Sequence, residues 1–237
     1  MGLDVALIAS APVATISSDG VILGASGCFV GLTGLRASEV EGRRLADLCP
    51  SGAAAERADQ AHQALDSNSP VRYFEALAGM RCQTTVAPVP AEHGGDRATV
   101  YMTVRPASAA ALRFVGRADS IPTLRTPIFG CWDRMTAVEL EVFRHIGLEL
   151  TNDEIAKAMN RSRRAIEWHT RNLLRKLGVG TRLGVFCAAY GAGIGEFTTE
   201  EWAAIVANRR PSRRGRTQPA IATPERDRII EPSIHAA

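Results

Sequence analysis

The stretch LTNDEIAKAMNRSRRAIEWHTRNLLRKLGVGTR, Leu150–Arg182, decides how this chain is read. Thr151 and Glu154 stand three apart, the spacing of a capping box, so a short helix opens at Asn152 and runs to about Met159. Asn160-Arg161-Ser162 then reads as a tight turn, with Ser162 placed to cap a longer helix that stops at Gly178. On that helix Ile166, Thr170, Leu173 and Leu177 form one stripe at the period of a buried face. Arg164, Trp168, Arg171 and Arg175 fall on the opposite side, with Glu167 beside them.

A short helix, a three-residue turn and a second helix with a basic outer face make a helix-turn-helix, whose second helix enters the major groove of DNA. Arginine there grips phosphate or reads guanine O6 and N7. Working outward, Thr136 and Glu139 form another box and open a helix to about Ile146, with the break placed at Gly147. A further helix begins near Thr181 and ends near Gly191. Thr198 and Glu201 form a third box before a helix over 197–208. Basic residues on a helix usually mark only a solvated face, but here caps, turn length and helix order agree.

The segment from Met135 to Arg182 resembles the LuxR/FixJ-type DNA-binding domain, through the pieces MTAVELEVF, LTNDEIAKAM, AIEWH and LLRKLGVGTR. The resemblance spans about residues 133–190. It implies a four-helix domain acting on double-stranded DNA as a homodimer, with the fourth helix at the dimer contact. Carried onto this chain, the DNA-binding residues are Asn152, Ser162, Arg163, Arg164, Glu167, Trp168, Arg171, Arg175 and Lys176. Two positions depart from the family pattern. Glu167 stands where a basic residue is frequent, and Trp168 where a small aliphatic is frequent. Glu167 accepts from cytosine N4 or pairs with Arg163, Arg164 or Arg171; Trp168 presses on a thymine methyl or packs on the first helix. Ala165 replaces a family Thr that touches phosphate.

The first half alternates strand-like and helix-like pieces. Strands are expected in PVATISSDGVILGAS, around an Asp19-Gly20 turn, and in VRYFEAL, MRCQTTVAPV and ATVYMTVRP. Helices are expected in SEVEGRRLADL and AAAERADQAHQAL, and a loop in PAEHGGDR. A phosphoreceiver domain fails for want of any Lys before Lys157. An acyl-homoserine-lactone domain fits poorly, because the first Trp is Trp132. Instead, Asp19-Gly20, Phe29, Thr33-Gly34 and Glu39-x-x-Gly42-Arg43 resemble the start of a PAS domain. That resemblance implies a five-stranded antiparallel sheet with helices over one face and a small cavity for a signal, or a fold that simply dimerises. Cys49 lacks the sequence context of light-sensing flavin versions. For haem, His62 is the candidate axial ligand, against the plainer reading of a lone packed or half-exposed histidine. The cofactor stays unknown, and none is a live option.

The fold class expected is therefore α+β: a PAS-like module over 1–105, a linker over 106–132, a helix-turn-helix domain over 133–192, and a C-terminal helix with an Arg- and Pro-rich tail over 193–237. Charge divides the same way. Residues 1–120 carry 10 Arg against 12 acids, a balance of −2; residues 121–237 carry 18 basic against 13 acidic residues, a balance of +5. A neutral module ahead of a basic one suits a polyanion partner on the second. The Arg209–Arg216 cluster reads as a soluble tail or a phosphate-gripping arm. Five scattered cysteines and the lack of any signal or membrane-spanning run point to reduced thiols in the cytoplasm. No nucleophile–base pair, metal cluster or phosphate loop supports an enzyme; GAGIGEF, Gly191–Phe197, follows a helix rather than a strand. The sequence thus reads as a PAS-controlled transcription regulator. The alternative is a PAS-mediated interaction module or antagonist with weakened DNA reading.

Overall fold

The computed structural model describes residues 12–33, 35–89, 99–107 and 121–209. The expected loop at 90–97, the helical start of the linker and the tail beyond Arg209 lie outside them.

Five strands form one antiparallel sheet: β1 (Val13–Ser17), β2 (Ile22–Ala25), β3 (Val71–Leu77), β4 (Met80–Pro88) and β5 (Thr99–Pro106), in the order β2-β1-β5-β4-β3. β1 and β2 join through a turn where Gly20 takes φ +80°, a left-handed conformation that glycine adopts without a Cβ penalty. Alternate residues of each strand enter the core. Ala14, Ile16, Tyr73, Cys82, Val86, Val100, Met102 and Val104 make one apolar cluster, closed by Phe29 and Val30 of α1 (Gly27–Thr33). Burial pushes the Cys82 thiol up to about 12. Among the described residues no cysteine is in a disulfide.

SEVEGRRLADL does not make one helix. It makes two short ones, α2 (Ala37–Val40) and α3 (Leu45–Leu48). Between them Gly42 takes φ +79°, and the chain pairs with Ile22: Ile22 N donates to Arg43 O at 2.9 Å and Gly42 N to Ile22 O at 2.8 Å. Two long-range backbone bonds outweigh the local helical pattern, because propensity is a weak prior.

α4 (Ser51–Ser67) lays Ala53, Ala54, Arg57 and Ala64 against the sheet. Arg57 and Glu75 of β3 form a buried ion pair, and Thr84 donates its hydroxyl to the same carboxylate. Burial alone would lower the Arg57 pKa, but the Glu75 charge beside it prevails and the net shift is upward. His62 lies on the exposed side of α4, away from the apolar cluster. His62 is the residue that the sequence offers as a haem ligand, and it is exposed.

The second module runs through a 3-10 turn (Gly130–Arg134), then α5 (Ala137–Gly147), α6 (Asn152–Ala158), α7 (Arg163–Leu177), α8 (Arg182–Gly191), a 3-10 turn (Ile194–Glu196) and α9 (Thr199–Ala207). All three capping boxes form. Gly147 is not the break. It is the last residue of α5, and the left-handed residue that follows is Glu149, at φ +65°. The glycine serves packing: a Cβ at Gly147 would meet Ala189 Cβ at 2.9 Å, so its absence lets α5 and α8 touch.

One apolar cluster gathers Leu140, Phe143, Ile146, Ile155, Ile166, Leu173, Val185 and Trp202, and it also takes in Ala76 of β3. Residues 121–128 lie along β3, with isolated parallel bridges at Phe74–Thr123 and Leu77–Ile128. This part of the expected linker is therefore bound to the sheet.

Candidate nucleic-acid interface

The face that the sequence predicts is built by its local signals. Ser162 Oγ accepts from Ala165 N at 3.2 Å and so starts α7. Asn160, at φ +49°, turns the chain out of α6, and Gly178, at φ +69°, ends α7. Ile166, Thr170 and Leu173 are buried against α5, α6 and α8, with Leu177 packed against the same cluster. Arg163, Arg164, Trp168, Arg171 and Arg175 are exposed on the other side, Trp168 at 56%. An exposed tryptophan that size is uncommon on a surface with nothing to meet. Its ring stands edge-on to His169 at 4.8 Å.

The charges on this face are not equivalent. Arg163 sits between two acids, Nη1 donating to Asp153 Oδ2 and Nε to Glu167 Oε1, each at 3.0 Å. Of the two readings of Glu167, the ion pair with Arg163 is the arrangement present. Arg164, Arg171 and Arg175 have no ion pair among the described residues. Arg171 Nε donates to the Glu167 backbone oxygen at 3.4 Å, and Arg175 Nη2 to Asn172 Oδ1 at 3.2 Å, so both guanidiniums keep their charge for an outside anion.

Lys176 is committed elsewhere. Its Nζ donates to Glu139 Oε2 at 2.5 Å and to Arg134 O at 2.8 Å, which ties the end of α7 to the start of α5. Although burial pushes the Glu139 carboxyl up, the bonds from Lys176 and Thr136 win and hold it below the ordinary range. The sequence hides this use of Lys176, because α6 and most of α7 separate it from Glu139. The Arg182 guanidinium, likewise through a partner distant in sequence, donates to Leu150 O and closes the loop between α5 and α6. Asn152, at the first turn of α6, is half-buried, and its Oδ1 has no partner among the described residues. Burial lowers the pKa of His169.

A second exposed feature lies on α8. Leu183 is 67% and Tyr190 55% exposed, and Phe186 stacks on Tyr190 at 5.6 Å. Large apolar side chains grouped on one helix face mark a contact surface.

Two family models match the chain. Residues 133–189 match the luxR family of bacterial regulatory proteins, and residues 9–111 match the PAS fold. The chain is a PAS–LuxR transcription regulator. The antiparallel sheet with its helices and the helix-turn-helix domain of this regulator correspond to those two matches in order. No curated protein matches this chain. Among solved structures, a Vibrio cholerae VqmA dimer, described as a LuxR-type receptor, is 19% identical over 85% of this chain and 91% of its own, at TM-score 0.43. A phage VqmA–DPO complex is 18% identical over 84% and 92%, at TM-score 0.45. A domain of an HTR-like protein from Haloarcula marismortui is 20% identical over 41% and 97%, at TM-score 0.38. Among the described residues no helix is long and apolar enough to cross a membrane.

Proposed function

We propose that this PAS–LuxR regulator binds operator DNA as a homodimer, with α7 in the major groove and α8 at the dimer contact. The observation that carries this reading is the outer face of α7, where three uncommitted arginines flank an exposed tryptophan on a helix whose inner face is fully engaged. Arg164 and Trp168, near the start of α7, face base edges; Trp168 offers an apolar surface to a thymine methyl. Arg171 and Arg175, with Ser162 and Asn152, hold phosphates and set register. Glu167 acts through Arg163, trimming its field rather than reading a base. In the dimer, Leu183, Phe186 and Tyr190 of each protomer meet, which places two recognition helices about 34 Å apart, one turn of DNA. The PAS module takes a small-molecule or protein signal and biases that spacing, and the protein works in the cytoplasm on DNA rather than as an enzyme.

Selection from random duplex DNA at two salt concentrations tests this. An enriched palindromic motif bound with a steep salt slope is the expected result. The Asp153–Arg163–Glu167 network favours a second reading, a PAS-mediated interaction module with weakened DNA reading, since it removes one cation from the face. No enrichment, with a slope near zero, would move the assignment there.

A further inference from the structure

We propose that Arg81 is a positioning residue: it clasps the C-terminal elements onto the outer face of the PAS sheet and thereby fixes where the DNA-binding domain sits. The proposal rests on the DNA-binding dimer just described.

The clasp is built from β3, β4 and the two-residue turn between them, Ala78 at φ +52° and Gly79 at φ +82°. The Trp132 indole lies against that turn. A Cβ at Gly79 would stand 2.7 Å from Trp132 Cδ2, so the indole reaches the hairpin only because the residue is glycine. The same indole meets Phe143 of α5 edge-on at 4.9 Å. One ring thus links the tip of the sheet to the core of the DNA-binding domain.

Arg81, the second residue of β4, points out of the sheet and is nearly buried. Its guanidinium sits 3.8 Å above the Phe74 ring and 5.3 Å from the Phe197 ring. Its backbone N donates to Ala192 O at 2.7 Å, just past α8, and its O accepts from Ala107 N at 2.8 Å. Phe197 O in turn accepts from Arg144 Nη2 of α5 at 2.9 Å. Alongside, Phe74 and Ala76 hold residues 122–128 by backbone bonds of 2.8 Å, and Thr123 donates to Glu201 of α9.

A buried cation is a poor choice for stability alone. Nε and Nη1 of Arg81 have no partner among the described residues, and burial lowers its pKa, offset in part by Glu201 and Glu196. An apolar residue of that size would fill the same space at less cost. What the planar cation adds is direction, since an aromatic ring attracts a cation over its face and not at its edge. It therefore sets the angle between Phe74 on the sheet and Phe197 on the DNA-binding side. β3 also carries the PAS interior on its alternate residues, for Glu75, between Phe74 and Ala76, pairs with Arg57. A rearrangement at that pair reaches the clasp through the pleat of one strand. The clasp leaves α7 uncovered, so it orients the reading face rather than blocking it.

The test uses the full chain with Arg81→Met and Arg81→Lys, and two duplexes of the selected sequence: two half-sites at native spacing, or one half-site alone. Arg81→Met should weaken the two-half-site duplex about tenfold and widen tolerance to half-site spacing, while single-half-site affinity stays within twofold; Arg81→Lys, still cationic, should recover part of the loss. Equal losses on both duplexes, or none on either, overturn the positioning role. Calorimetry reads the clasp without DNA. Arg81→Ala, which removes the packing as well as the charge, is the variant for it: one transition in the wild type that splits into two in Arg81→Ala supports the clasp, and two transitions already in the wild type, or one in both, overturn it. A wild type that binds no duplex overturns the DNA reading, and the calorimetric result then judges the clasp alone.

Discussion

Because the arginines of α7 differ in their partners, they should differ in their effect on the salt dependence of DNA binding. Log affinity falls with log salt at about 0.9 per phosphate neutralised. Arg171 and Arg175 carry free charge, and the proposed dimer presents each twice. Arg171→Ala with Arg175→Ala should therefore flatten the slope by about 3.6. Between 50 and 200 mM salt, the wild type should lose about 150-fold more affinity than that variant. Arg163→Ala with Glu167→Ala removes a charge-matched pair held at 3.0 Å, so the slope should stay within about 0.5 of wild type. Fluorescence anisotropy on one labelled operator across a salt series measures both. If removing the matched pair flattens the slope as much as removing Arg171 and Arg175, the assignment of spent and free charges on α7 is wrong.

Glu75→Gln leaves Arg57 buried without its counter-charge, and should cost about 3 kcal/mol and lower Tm by about 6–12 °C; Arg57→Leu with Glu75→Leu should recover most of it in a thermal melt, and failure to recover would contradict the pairing. Gly147→Val forces a side chain into Ala189, whose Cβ is 2.9 Å from the new one, and should destabilise by about 1–3 kcal/mol; Gly147→Ala combined with Ala189→Gly should restore stability, as read by urea unfolding. Burial, helped by the Arg144 charge, lowers the pKa of His145 below its ordinary 6.5. The folded state then binds fewer protons than the unfolded state in the window below 6.5. Its contribution is fully present above 6.5 and is lost as pH falls through the folded value. His145→Gln should remove that part of the pH dependence of unfolding, and an unchanged profile would contradict it.

The sequence by itself determined the features that depend on near neighbours. Capping boxes join residues three apart, so the starts of α5, α6 and α9 were legible at Thr136, Thr151 and Thr198. The 3.6-residue period sorted α7 into Ile166, Thr170 and Leu173 inside and Arg164, Trp168, Arg171 and Arg175 outside. The strands of the sheet were legible as strand-like runs set off by turns and loops. Only the tertiary structure decided what depends on distant partners. Gly42 breaks a helical pattern because β2 offers its backbone bonds. Gly147 looks like a stop signal but is a contact with Ala189 of α8, with α6 and α7 between them in the chain. His62 sits on the helix where a haem ligand was sought, yet the docking of α4 turns it to solvent. Lys176 reads as one more cation on a basic helix until Glu139 is folded beside it. The same holds for the joining of the two modules, where Arg81, Trp132 and Phe197 acquire their meaning from rings and carbonyls far along the chain. Local geometry is written in short spacings, whereas the partner of a charge or a ring is chosen by packing.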